Sequence, residues 1–307
     1  MKNNVKIVTR GSQLALWQAN WIKHLLQSAH PSISISIQAI KSTGDKLNQQ
    51  PIQTIGGKNV FIKELQSQLL LQQADIAVHC IKDMSVFPTE GLTTSCIPVR
   101  ANASDAIITQ KASELETLPE HATVGTGSPR RACLLKTIRP DIIIAPIRGN
   151  IDSRLRKLDS GKYDAIMLAH AGLERLNLNN RITQTLNPYQ FTPAIGQGAL
   201  GLEHRCDDHF IAKLLTPLND PASFSCVQAE QMVNRILKGD CHSCIGAYAT
   251  VEGDEMLLQA MVGDPNTNTI IRAEKRAKKE NHAQLGEQVA AELIKQDALT
   301  ILSQKGN

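Results

Sequence analysis

Two successive α/β units with parallel-rich sheets, followed by a smaller α+β unit, are expected from three features of the 307-residue sequence. Strand-like and helix-like segments alternate from the first residues, which is the pattern of parallel strands joined by crossover helices. The same alternation restarts after about residue 100, and from about residue 222 a helix gives way to consecutive strands. A chain of this length divides into two or three domains at the usual domain size.

The segment Val5-Lys6-Ile7-Val8-Thr9 reads as a buried strand, and Ser12 offers a hydroxyl N-cap to a helix with apolar Leu14, Trp17, Trp21 and Leu25. Ile33, Ile35 and Ile37 alternate with serines at period two, a half-buried strand. Gly56-Gly57 marks a loop, Ile62, Leu65 and Leu69 a helix, and Ile76-Ala77-Val78 a short strand. In the second unit, strands near Thr123-Val124, Ile142 to Ala145 and Ala165 to Ala169 enclose helices after Pro129 and over Ile151, Leu155 and Leu158, with Gly161 as a left-handed stop. The last unit reads as a helix from Ser225 to Leu237 and strands at Ala247 to Val251, Met256 to Val262 and Ile270 to Glu274, closed by a helix around Gly286 to Ile294. Glu252-Gly253-Asp254 suits a hairpin turn between the first two strands. The basic stretch Arg272 to Lys279 reads as a solvated strand end and turn.

Composition narrows the function. With 42% hydrophobic and 20% charged residues, the chain is of ordinary globular type, neither disordered nor fibrous. No apolar run is long enough for a bilayer, and Met1-Lys2-Asn3-Asn4 leads into a strand and not a signal core, so a cytoplasmic protein without membrane partners is expected. Seven scattered cysteines, an odd number, point to reduced thiols. The net charge of +4 and the absence of aromatics among basic clusters argue against nucleic acid.

Several segments carry chemistry. Gly125-Thr126-Gly127-Ser128-Pro129-Arg130-Arg131 follows a strand and opens a helix, where free N–H groups, hydroxyls and forked guanidiniums suit a carboxylate; it lacks the endings of a nucleotide loop. Arg10, Arg148, Arg154 and Arg175 fall at further strand ends or first helical turns, where α/β sheets gather ligands, so a polycarboxylate site is expected. Asp83, beside Lys82 in a loop after the strand Ile76 to Val78, is placed to stabilise a cationic intermediate and pass protons to a leaving amine. In Cys241-His242-Ser243-Cys244, one cysteine can be a nucleophile; the spacing also allows half a zinc site or a redox pair, with His204 and Cys206 as remote ligands.

These motifs together resemble the hydroxymethylbilane synthase (porphobilinogen deaminase) family. The resemblance covers nearly the whole chain through Thr9-Arg10-Gly11-Ser12-Gln13-Leu14-Ala15, Gly56 to Phe61, Ala74 to His79 with Lys82-Asp83, Arg148-Gly149-Asn150, Leu168 to Leu176 and Ile195-Gly196-Gln197-Gly198-Ala199. It implies a transferase that condenses four porphobilinogen molecules onto a dipyrromethane cofactor thioether-linked to Cys241, then releases a linear tetrapyrrole for porphyrin and heme synthesis. Asp83 would be the catalytic carboxylate. Arg10, Ser12, Lys82, Thr126, Ser128, Arg130, Arg131, Arg148, Arg154 and Arg175 would hold acetate and propionate groups, with Gln197 in a return segment between domains and Lys58 in a covering loop. No metal is implied.

The implied fold has three domains, the first two like periplasmic binding proteins with a cleft between them: residues 1–99 plus 195–217, 100–194 and 222–307. A monomer is implied. The sequence departs from the family pattern at Ser85, Gly127 and Asp240, where proline, serine and glycine are usual, and Cys244 adds a second thiol near Cys241. Two other functions remain open from residues alone. One is a non-catalytic protein binding small dicarboxylates, which would have no use for a third domain with a reactive cysteine; the other is a metal or redox site at Cys241 and Cys244.

Overall fold

The computed structural model describes residues 4–40, 62–239, 243–264 and 267–303. In chain order its first elements are β1 (Asn4–Arg10), α1 (Gln13–Ala29), β2 (Ser34–Ile40), α2 (Lys63–Leu70), β3 (Ile76–Cys80) and β4 (Leu92–Cys96). Next come β5 (Asp105–Thr109), β6 (Thr123–Gly125), α3 (Pro129–Ile138), β7 (Ile143–Ala145), α4 (Ile151–Asp159), β8 (Ala165–Ala169), α5 (His170–Arg175) and β9 (Gln184–Thr185). The chain continues through β10 (Leu200–Arg205), α6 (His209–Leu215), α7 (Pro221–Leu237), β11 (Ile245–Glu252), β12 (Glu255–Gly263), β13 (Ile270–Lys278), α8 (His282–Lys295) and α9 (Ala298–Ser303).

These elements form two compact units, one of residues 1–101 with 199–224, the other of 102–198 with 225–307. The first unit is built on a sheet of order β2-β1-β3-β10-β4. β1 runs parallel to β2 and β3, as crossover helices require, whereas β10 runs antiparallel to both β3 and β4. The expectation of parallel-rich sheets is therefore corrected to mixed ones. β10 returns to the sheet from a distant part of the chain and needs no crossover helix to enter antiparallel.

β1 is buried on both faces. Val5 and Ile7 pack with Ala19, Ile22 and Leu26 of α1, while Val8 packs with Leu65 and Leu69 of α2. The face that α1 buries is rotated from the one expected: Gln18, Ala19, Ile22 and Leu26 point inward. Trp17 is exposed and stacks on Trp21 at 6.2 Å between ring centroids. Small Ala19 lets the helix approach the sheet, and Gln18 is accommodated because its side-chain amide donates to Cys80 Sγ at 3.2 Å.

The second unit contains a sheet of order β7-β6-β8-β5-β9. Here β6 is parallel to β7 and β8, and β5 is antiparallel to β8 and β9. The arrangement of parallel and antiparallel strands is that of the first unit, a likeness the residues do not reveal. Leu134 and Leu135 of α3 cover one face with Val124 and Met167; Leu155 and Leu158 of α4 cover the other with Ile166 and Leu168. Gly161, at φ +74°, ends α4 as expected.

The same unit holds the antiparallel meander β11-β12-β13. Its first hairpin closes across the pair Glu252 and Glu255, with Gly253 at φ +61°. Ala247, Ala249, Leu258 and Ala260 pack against Ala229 and Val233 of α7 and Leu285, Val289 and Leu293 of α8. The basic stretch Arg272 to Lys278 belongs to β13, and Arg272 is not merely solvated: it donates to Thr192 Oγ1 and Gln190 O, both at 2.8 Å.

Candidate active site

In the first unit the expected site residues lie at the carboxyl ends of two adjacent parallel strands. Arg10 is the last residue of β1, and Ser12 caps α1, its hydroxyl accepting from Ala15 N at 3.3 Å. Lys82 and Asp83 are partly buried in a short 3-10 turn, Ile81–Asp83, and not in an open loop. Two backbone bonds fix that turn: Ile81 N–H donates to Ala199 O at 3.1 Å, and Met84 N–H closes back on Ile81 O at 2.9 Å. Beyond it, Ser85 Oγ accepts from Phe87 N–H at 3.1 Å, which organises the chain after the turn.

Two residues of β10 were not anticipated. A Cβ on Gly201 of β10 would lie 2.5 Å from Ile81 Cδ1 and 3.0 Å from Thr94 Cγ2, so the turn seats on this strand only over glycine. Glu203, on the same strand, is buried and bonds His79 Nε2 at 3.0 Å, while Gln66 Nε2 donates to its other oxygen at 2.9 Å. Sequence patterns gave no strand at 200–205, so neither residue could be placed.

In the second unit, Thr126 and Ser128 form the link between β6 and α3. Ser128 N–H donates to Thr126 Oγ1 at 3.2 Å, and Ser128 Oγ caps the helix by accepting from Arg131 N at 3.4 Å. Arg130 and Arg131, in the first turn, are buried around Asp105, which has no exposed surface. Arg131 Nε and Nη2 donate to Asp105 Oδ1 at 2.9 and 2.7 Å, and Arg130 Nη1 lies 2.8 Å from Asp105 Oδ2. Gln197 Nε2 donates to the same carboxylate at 2.9 Å and to Ala103 O at 2.7 Å, which ties the return segment into the cluster.

Burial opposes ionisation of Asp105, but the charges of Arg130 and Arg131 and the bonds from Arg130 and Gln197 outweigh it. Its carboxyl is held well below the usual carboxylate range. Two guanidiniums share this one carboxylate, which leaves a surplus positive charge at a helix N-terminus, an arrangement that favours an anion. The signal for Asp105 was present in the sequence: an aspartate opening the apolar run Asp105-Ala106-Ile107-Ile108 needs a cationic partner once buried.

The other arginines are distributed around these elements. Arg148 is exposed before α4, and Arg154 in its first turn donates through Nε to Gly149 O at 2.7 Å. Asn150 caps that helix by accepting from Ser153 N at 3.0 Å. Arg175, at the end of α5, is buried and donates to Gly198 O at 2.7 Å. Lys58 and Cys241 lie outside the described residues. Of the remote ligands considered for a metal, His204 instead bonds Ser95 Oγ and Arg205 O, both at 2.7 Å, and Cys206 is exposed. Cys244 is buried beside Cys133.

No helix among the described residues is long and apolar enough to cross a membrane. Among solved structures, the chain is similar to the VFT2 domain of Bordetella pertussis BvgS, with 14% identity and a TM-score of 0.42 over 69% of this chain and 84% of that one. It is also similar to a putative methionine-binding lipoprotein from Bacillus subtilis, with 10% identity and a TM-score of 0.45 over 71% and 90% of the two chains. A periplasmic substrate-binding protein of an ABC transporter from Coxiella burnetii gives 13% identity and a TM-score of 0.44 over 74% and 96%. At these values the likenesses say nothing about ligands. Family models are specific where structural likeness is not. Residues 5–213 match the dipyrromethane cofactor binding domain of porphobilinogen deaminase, and residues 224–295 match the C-terminal domain of the same enzyme. With two domains of one family matched in order along nearly its whole length, this chain belongs to the porphobilinogen deaminase family.

Proposed function

We propose that this protein is a hydroxymethylbilane synthase, a transferase that joins four porphobilinogen molecules, each with loss of ammonia, onto a dipyrromethane primer held by a thioether at Cys241. Hydrolysis then releases the linear tetrapyrrole hydroxymethylbilane. The observation that carries the reading is the ordered match of both family domains to residues 5–213 and 224–295.

The donor set fits the cofactor, a chain of carboxylate-bearing pyrroles, because cations and hydroxyls stand at strand ends and helix starts in each unit. The surplus charge around Asp105 is the clearest instance. When bound, dipyrromethane supplies the pyrrole carbon to which porphobilinogen is joined. Asp83 is the general acid–base group: its carboxyl oxygen hands a proton to the departing amine and, once ionised, balances positive charge on the substrate. Arg10, Ser12 and Lys82 in the first unit, and Thr126, Ser128, Arg148, Arg154 and Arg175 in the second, hold acetate and propionate groups through charge-assisted bonds. Arg130 and Arg131 join them with part of their donor capacity already committed to Asp105, which fixes where they point. Gln197 keeps that pair in register. The reading includes a cytoplasmic monomer acting on a free small molecule.

The test is the intact mass of denatured protein beside a Cys241→Ser variant, before and after incubation with porphobilinogen. A thioether survives denaturation and a bound ligand does not. An excess of two pyrrole units, absent from the variant, together with turnover of porphobilinogen, is the expected result. An unmodified mass after incubation would overturn the reading and favour a dicarboxylate-binding protein.

A further inference from the structure

Cys133 and Cys244 are far apart in sequence, yet both are buried in one apolar cluster with Leu134, Phe191 and Met261, at 1% and 2% exposure. Each thiol perturbs the ionisation of the other. They meet over Gly263 of β12: a Cβ there would lie 2.6 Å from Cys244 Sγ and 2.7 Å from Cys133 Sγ. The missing side chain is what lets the two sulfurs share this space. Cys133 Sγ also lies 3.7 Å from Asp264 O, and Cys244 Sγ 3.7 Å from Pro129 O, so both sulfurs sit where α3 meets the start of β11 and the end of β12.

We infer that Cys133 and Cys244 are a redox pair, which a hydroperoxide converts into a disulfide tying α3 to the segment that enters β11. The Cys133 sulfur attacks the distal peroxide oxygen and the O–O bond breaks. Water or an alcohol leaves, and Cys133 becomes a sulfenic acid. The Cys244 sulfur then attacks that sulfur, the S–S bond forms and water departs. In sum two thiols give up two protons and two electrons, and the hydroperoxide is reduced to an alcohol and water.

The pair is chemically unequal, as such a reaction needs. The neighbouring Cys244 thiol pulls the Cys133 thiol down against the opposing effects of burial and Asp264, while the Cys133 thiol and burial push Cys244 up. Cys133 is thus the attacking thiol and Cys244 the resolving one. Cys96 provides the contrast, a buried thiol that burial pushes up to about 12. The placement gives the bond a consequence for the site. Cys133 follows Arg130 and Arg131 on α3, and Cys244 stands three residues after Cys241.

The full-length protein would be kept under native conditions without any thiol-capping reagent. It would then be exposed to tert-butyl hydroperoxide, denatured in N-ethylmaleimide and digested without reductant for mass spectrometry. The expected product is a Cys133–Cys244 linked peptide pair, lighter by two hydrogens than the separate thiols, lost on reduction and absent from Cys133→Ser. Gly263→Ala, which keeps both thiols but drives a methyl between them, should lose most of the link. Recovery of both peptides as maleimide adducts from oxidised protein with a native circular dichroism spectrum would overturn the inference. So would recovery of Cys244 joined to Cys241. The Cys133–Cys244 link and the recovery of both maleimide adducts do not depend on whether Cys241 carries a cofactor; a Cys244–Cys241 link requires that Cys241 be free.

Discussion

Asp105 holds a charge without exposed surface because three side chains from two other segments reach it: Arg130, Arg131 and Gln197. Removing the carboxylate would leave two buried guanidiniums facing each other, so Asp105→Ala is expected to cost about 3–5 kcal/mol in chemical denaturation, the range for breaking a buried pair. The pH dependence has a defined sign. The folded carboxyl is depressed below its unfolded value of about 3.9, so its stabilisation is fully present above that pH. It is lost as pH falls through the folded value. The thermal advantage of wild type over Asp105→Asn should therefore be constant near neutrality and narrow below about pH 4. Asp83 calls for a different outcome. It is partly exposed at the end of its turn, so Asp83→Asn should leave the melting temperature unchanged and lower porphobilinogen turnover by about 10²–10⁴-fold, the usual contribution of a proton-transfer group. Near-normal turnover would remove Asp83 from the mechanism.

The elements that were legible are those with strong periodicity and a local cap. The strand Ala165–Ala169, the stop at Gly161 and the caps at Ser12 and Ser128 follow from neighbouring residues alone. The inward face of α1 did not, because the two tryptophans dominate the apolar pattern while the sheet selects the side that approaches closest, through Ala19. β10 escaped notice for a related reason: its run Leu200-Gly201-Leu202-Glu203-His204 contains a glycine and two charged or polar residues that read as loop. Glu203 and Gly201 are explained by partners on other elements. Glu203 meets His79 and Gln66, and Gly201 makes room for Ile81. Gly201→Ala is predicted to cost about 1–3 kcal/mol by overpacking. Displacing the Asp83 turn by an ångström should lower turnover by about 10²-fold. A parallel loss in thermal midpoint and turnover number, with the Michaelis constant little changed, is the expected signature.

Across the whole molecule the chain passes from the first unit to the second and back before entering the second again. The first sheet is therefore incomplete until β10 is made, because that strand lies between β3 and β4 and is the link through which β4 joins the sheet. A fragment of residues 1–198 contains nine of the ten strands of the two five-stranded sheets, yet it lacks this one. It is expected to melt without a cooperative transition by circular dichroism, and a fragment that unfolds as sharply as the intact chain would show that β10 is dispensable. The amino-acid sequence by itself determined the α/β class, most helices and parallel strands, the helix caps and the cationic and acidic residues at strand ends. Local periodicity, capping and charge are short-range properties and can be read along the chain. Only the tertiary structure decided the antiparallel strands of the two five-stranded sheets, the carboxylate that joins Arg130 to Arg131, the glycine beneath Asp83 and the meeting of Cys133 with Cys244. Each of these depends on segments brought together through burial from distant parts of the chain, and no local pattern encodes which distant segment arrives.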